Sequence, residues 1–167
     1  WLDNRIDYLI MKDGSFSQYS MIYHRLVIDV LCFVLLWETI LSLGLFSKDI
    51  NHKINKALAW IFEFTDIKTG NAPNIGANDG SMLIPLHSCN YRNFKPSIQL
   101  LSVLLNSENI YEHGNWDEPL WWLKLDYKRF KYSNREHNKK YFTEGGFAKL
   151  EGINSWGVIR FPKYLFR

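Results

Sequence analysis

The stretch from Asp13 to Arg25, DGSFSQYSMIYHR, carries the side chains best suited to moving a proton and holding a polar ligand. A turn signal, Asp13-Gly14-Ser15, leads into Gln18, Ser20, Tyr23 and His24, which fall within about two turns of a helix expected from about Ser17 to Leu43. A tyrosine phenol has an ordinary pKa of about 10, so Tyr23 can protonate a departing alkoxide. It can act as a base only where its phenolate is stabilised. His24 lies about 100° further round the helix, so the two side chains cannot point straight at one atom. Either His24 contacts a substrate or it makes a hydrogen bond that orients a loop. A Tyr-His pair by itself is weak evidence, because such dipeptides are frequent in protein cores.

The elements around this stretch read as its support. Leu26 to Trp37 is apolar on nearly every side, which predicts a helix buried in a helical assembly, with Gly44 as its stop. Polar groups on the first turns of such a helix are positioned by packing before any ligand arrives. Residues 1–12 fit the end of an earlier helix. Ser47 and Asp49 supply a cap and a first-turn carboxylate for the next helix, in which Ile54, Leu58, Ile61 and Phe62 recur at helical spacing. From Thr65 to Asn93 the pattern fails: Gly70, Pro73, Gly76, Gly80 and Pro85 rule out a long helix, and Asn71, Asn74, Asn78 and Asp79 favour local hydrogen bonds. A structureless stretch of that length tends to be functional. We expect it to pack across the first turns of the preceding helix and bring Asn78 or Asp79 near Tyr23. Pro96 opens a further helix and Asp117-Glu118-Pro119 a short one. Finally Phe147 to Leu150 and Trp156 to Phe161 read as two strands joined by a turn.

Composition bounds the function. The 167 residues are near the usual single-domain size. Both ends look cut, since the chain opens on Trp1 without an initiating Met and stops inside the apolar Tyr164-Leu165-Phe166-Arg167. The 7 Trp, 9 Tyr and 11 Phe are good core material and equally a platform for sugar rings. A net charge of +3 includes a basic concentration from Lys124 to Lys140, which reads as a solvated linker or as an attractor of polyanions. No nucleic-acid readout motif accompanies it. Asp29 and Glu38 interrupt the longest apolar run, which falls short of the roughly 20 residues of a membrane span. Cys32 and Cys89 lack the spacing of a metal site or redox pair and are expected to stay free thiols; the scattered histidines likewise suggest no metal.

The pattern Asp13-Gly14, Gln18, Ser20 and Tyr23-His24 resembles the active-site helix of the heparinase II/III-like polysaccharide lyases. Three further stretches agree in order: Ala72 to Gly80 is similar to that family's glycine-rich loop, Asn90 to Pro96 to the segment after it, and Phe142 to Arg160 to the first strands of its β-domain. The likeness is to members found near capsule and exopolysaccharide genes. It implies a mainly α fold, with residues 1–133 as part of an incomplete (α/α) toroid and residues 134–167 opening a C-terminal antiparallel β-sandwich. It also implies β-elimination on a uronic-acid-containing polysaccharide, in which the uronate carboxylate is neutralised, the C5 proton removed and the C4 oxygen expelled.

Tyr23 matches the catalytic tyrosine, as acid, and as base too where the substrate puts both atoms on one side. Gln18, Ser20, His24, Asn78 and Asp79 would contact substrate, or, for Asn78 and Asp79, tie the loop to the helix. Gln18 stands where many relatives have Glu, and an amide can donate to a carboxylate that Glu would repel. The resemblance implies no cofactor, an acidic polysaccharide as partner, and a periplasmic or secreted location, with a cytoplasmic one left open. The family's upstream Asn and its β-domain His have no counterpart, so the chain is expected to be a piece of the full enzyme. The alternative is a non-catalytic glycan-binding or capsule-assembly protein that kept the toroid.

Overall fold

The computed structural model describes residues 1–42, 44 and 46–161. Each apolar run with helical spacing becomes a helix: α1 (Leu2–Leu9), α2 (Met21–Leu41), α3 (Lys48–Glu63), α4 (Lys95–Asn106) and the short α5 (Glu118–Trp122). The class is therefore mainly α. Helix α4 packs against both α2 and α3, and α1 packs against α3. Their shared core includes Ile28, Leu31 and Cys32 of α2, Ile54, Leu58 and Ile61 of α3, and Ile98 and Leu101 of α4.

Two expectations for α2 need correction. The helix begins at Met21, four residues later than Ser17, because Phe16 pairs with Ile10 in an isolated antiparallel bridge and Tyr19 turns the chain at a φ of 54°. Ser20 is the N-cap, with extended backbone, and its hydroxyl accepts the Tyr23 N–H at 3.2 Å. At the other end Ser42 adopts the left-handed conformation at a φ of 52° and stops the helix. Leu43, the expected last residue, lies outside the described residues, as does Tyr164 to Arg167. Nor is α2 enclosed along its whole length, since Trp37, Ile40 and Leu41 are exposed. For α3 the capping signal works as read, with Ser47 Oγ accepting the Ile50 N–H at 3.3 Å.

Five strands follow α4. β1 (Glu108–Asn109) and β2 (Lys131–Tyr132) form a minimal parallel pair. β3 (Tyr141–Phe142), β4 (Phe147–Glu151) and β5 (Trp156–Arg160) form an antiparallel sheet in chain order, with Phe147 opposite Arg160 and Glu151 opposite Trp156. The last three strands share the helical core. Phe142 and Phe147 meet Trp60 of α3 and Phe64 just past its end, edge-on or tilted, at centroid separations of 5.1 to 6.1 Å. Asp13 closes the same junction, its Oδ2 accepting the N–H groups of Glu144 at 2.8 Å and Gly145 at 3.0 Å.

One buried polar hub organises the chain after α4. Gln99 is fully enclosed, and its Oε1 accepts the N–H groups of Ile110 and Tyr111 at 3.0 and 3.1 Å. Its amide nitrogen donates to Asn109 Oδ1 and to Asp117 Oδ1, both at 3.1 Å. Asn109 extends the network by donating to the carbonyls of Tyr127 and Phe130. A helix side chain thus replaces the backbone ladder that this irregular segment lacks.

Candidate functional site

Residues 64–94 contain no helix or strand beyond an isolated bridge between Asn71 and Asn93. That bridge, with Phe94 N–H donating to Gly70 O at 2.8 Å, pins the two ends of the loop together. Its middle lies over the start of α2. Ile75 O accepts the Met21 N–H at 3.0 Å, and Ser20 Oγ donates to Ala77 O at 2.6 Å, so the loop satisfies polar groups a helix start leaves free. Gly76 permits the approach: at a φ of +77°, a Cβ there would sit 2.5 Å from Tyr19 O and 2.7 Å from Ser20 Cα.

This brings Tyr23 and Asp79 together as expected. The half-buried Tyr23 donates its phenolic proton to Asp79 Oδ2 at 3.1 Å. The other carboxylate oxygen accepts from Ser81, from its hydroxyl at 2.5 Å and its backbone N–H at 3.0 Å. The Ser81 donors hold the Asp79 carboxyl below its usual range. The hydrogen bond to Asp79, and then its charge, raise the Tyr23 phenol above its ordinary value of 10. At neutral pH the phenol keeps its proton, which suits a donor and works against a base.

The remaining expected residues separate. Asn78 stays with Tyr23's neighbour: its Oδ1 accepts from Tyr91 Oη at 2.6 Å and from Gly80 N–H at 3.0 Å, and its Nδ2 donates to Asn74 Oδ1 at 2.9 Å. Ser20 is buried, and its hydroxyl is engaged by the cap and by Ala77, so it positions the loop and does not face a ligand. His24 turns inward. It is 1% exposed, its Nε2 donates to Ala57 O at 3.0 Å, and its ring stacks on Trp60 at 4.4 Å. Burial lowers its pKa to about 4 and keeps it neutral. Of its two expected roles, substrate contact is closed off by the enclosure. Its hydrogen bond goes to α3 and not to the loop. Gln18 is exposed in the turn before α2, without a side-chain hydrogen bond to the others.

Sequence reasoning missed the residue that lashes the loop down from beneath. Arg25 is 1% exposed, donating from Nη1 to Tyr91 O at 2.6 Å and from Nη2 to Ser81 O at 2.9 Å. Its guanidinium carbon lies 4.9 Å from the Tyr91 ring centre and 4.6 Å from that of Phe94. Asp29, one turn further along, is also enclosed and accepts the Leu83 N–H at 3.3 Å, while burial raises its carboxyl pKa. The signal was a charged pair at i and i+4 inside an otherwise apolar run.

Beside this lattice lies a cavity of about 210 Å³, walled by Ile22, Pro73, Asn74, Asn78, Tyr91 and Arg92 among others. Among the described residues no group of three or more His, Cys, Asp or Glu is placed to hold a metal ion, and no helix is long and apolar enough to cross a membrane. Cys32 and Cys89 are free thiols. In comparisons with known proteins, the chain matches no family model, no curated protein and no solved structure.

Proposed function

We propose that this chain is part of a polysaccharide lyase of the heparinase II/III-like type, cleaving a uronic-acid-containing polysaccharide by β-elimination with Tyr23 as the general acid. The helical part is then a segment of an (α/α) toroid and β3 to β5 belong to the β-sandwich that follows it. The observation that carries the reading is the Tyr23 phenol, half-buried at the start of a packed helix and kept protonated by Asp79. A proton donor so placed can protonate the C4 oxygen as it leaves. Because Asp79 opposes phenolate formation, the C5 proton goes to another base unless substrate binding displaces that carboxylate.

The same hydrogen bond favours a second reading, in which Tyr23 and Asp79 only clasp the loop and the protein binds glycans without cleaving them. The two diverge in the full-length protein. A lyase produces an unsaturated uronate, which absorbs near 232 nm, a wavelength set by the conjugated product of proton abstraction and roughly independent of the protein. Tyr23→Phe should remove about a hundredfold to ten-thousandfold of that rate while lowering stability by no more than about 1 kcal/mol. No absorbance rise with any of a panel of alginate, heparan-like and capsule glycans would select the clasp reading. An active Tyr23→Phe enzyme would keep the lyase and remove Tyr23 from its mechanism.

A further inference from the structure

The cavity lined by Asn74, Asn78 and Tyr91 has a polar side tied together by hydrogen bonds within the loop. Tyr91 Oη and Gly80 N–H both donate to Asn78 Oδ1, and Asn78 Nδ2 donates in turn to Asn74 Oδ1. The acceptors of both amides are therefore engaged within the protein. Three N–H groups on residues that line the cavity have no partner among the described residues: the Asn74 amino group, the second N–H of Asn78, and the guanidinium of Arg92. Arg92 is exposed, and among the described residues only its backbone N–H is engaged, with Asn90 Oδ1 at 2.9 Å. No carboxylate lines the cavity. Asp79, adjacent in sequence to Asn78, faces Tyr23 and Ser81 instead.

A second positive group stands nearby. The buried Arg25 guanidinium lies 4.9 Å from the ring centre of Tyr91 and 4.6 Å from that of Phe94, two residues that also line the cavity. There its charge is screened less than at the surface. Its partial counter-charge, Asp29, lies one turn further along α2 and is engaged with Leu83 N–H. A lining that carries free N–H groups on Asn74, Asn78 and Arg92 and no carboxylate suits a ligand that accepts hydrogen bonds and carries negative charge.

We propose that this cavity is a subsite for the carboxylate of an acidic sugar, with Arg92 as the residue that selects for charge. Guanidinium and carboxylate match as a two-pronged pair, which a lysine or an amide cannot reproduce. At about 210 Å³ the space is below the roughly 300–1,000 Å³ of pockets for drug-sized molecules, so it takes a single ring. Ile22 and Pro73 offer apolar contact to the ring's C–H face. The anion half of the proposal rests on the donors alone; the sugar half rests on the lyase reading above.

Titration calorimetry at low salt tests it, with trimannuronate and neutral mannotriose as probes and acetate as competitor. Wild-type protein should bind the acidic trimer at least about tenfold more tightly, and Arg92→Gln should bring the two within about threefold. Its melting temperature should not move, since Arg92 is exposed. Equal affinity for the two trimers, binding of neither, or a preference that survives Arg92→Gln overturns the subsite. Acetate competing as well as the trimer reduces it to a general anion site and overturns the sugar half. The lyase reading fails separately. Charge-selective, Arg92-dependent binding without an absorbance rise at 232 nm keeps the subsite and removes the enzyme. A lyase whose KM for polyuronate is untouched by Arg92→Gln does the reverse.

Discussion

Two amide-centred networks in this molecule use the same chemistry to opposite ends. Around Gln99 every described donor and acceptor of the side chain meets a partner inside the protein, and nothing of it reaches solvent. Around Asn78 the chain of hydrogen bonds runs from Tyr91 through Asn78 to Asn74 and stops at an amino group with no partner among the described residues. A closed network specifies a fold, because any alternative packing would leave buried polar groups unmet. An open one leaves something for a ligand to complete.

The sharpest way to break the comparison is Gln99→Leu, which should cost about 3 to 4 kcal/mol by stranding buried partners on 108–117. Urea denaturation reads this directly, and a loss near 1 kcal/mol would mean that the hub is dispensable. His24 comes next. Its folded pKa is about 4 against an ordinary 6.5, so between those values the unfolded chain takes up a proton that the folded protein refuses. The stability contributed by neutral His24 is complete above about pH 6.5 and is lost as pH falls towards 4, at up to about 1.4 kcal/mol per unit. His137, also lowered to about 4 by burial and by Lys149, titrates in the same window but is only half-buried. His24→Gln should therefore flatten the stability slope between pH 6.5 and 4.5 by more than His137→Gln does; the opposite order would place the buried proton elsewhere. The smallest effect belongs to the open network. Asn78→Ala, on the exposed loop, should lower stability by about 1 kcal/mol or less. A loss as large as that of Gln99→Leu would erase the distinction between the two networks.

How much of this was legible in the sequence follows the same division. Helices α3 and α4 and the hairpin β4–β5 were readable because apolar spacing, the Ser47 cap, Pro96 and the break between the runs 147–150 and 156–161 all point the same way. The meeting of loop and helix start was also readable, since Asn and Gly concentrate where a backbone must approach another closely. The direction of His24 was not. In α2 the apolar residues run almost continuously, so periodicity cannot tell which side faces the core, and a histidine beside a tyrosine looks like a matched pair. Gln99 escaped notice because a single amide among Leu and Val gives no sign that its partners lie 10 to 18 residues on. Strands β1 and β2 are two residues each and have no alternation to find.

The clamp made by Asp13 has a consequence for how the molecule comes to be folded. Its carboxylate grips backbone groups 131 and 132 residues further along the chain. Contacts at such separation close late, because a long loop's entropy must be overcome first. During synthesis, at about 5 to 20 residues per second, α2 to α4 are all made before that partner segment exists. The turn that leads into Tyr23 thus waits, without its anchor, for several seconds. Replacing Asp13 should show itself less in the final stability than in the time the newly made chain takes to resist proteolysis.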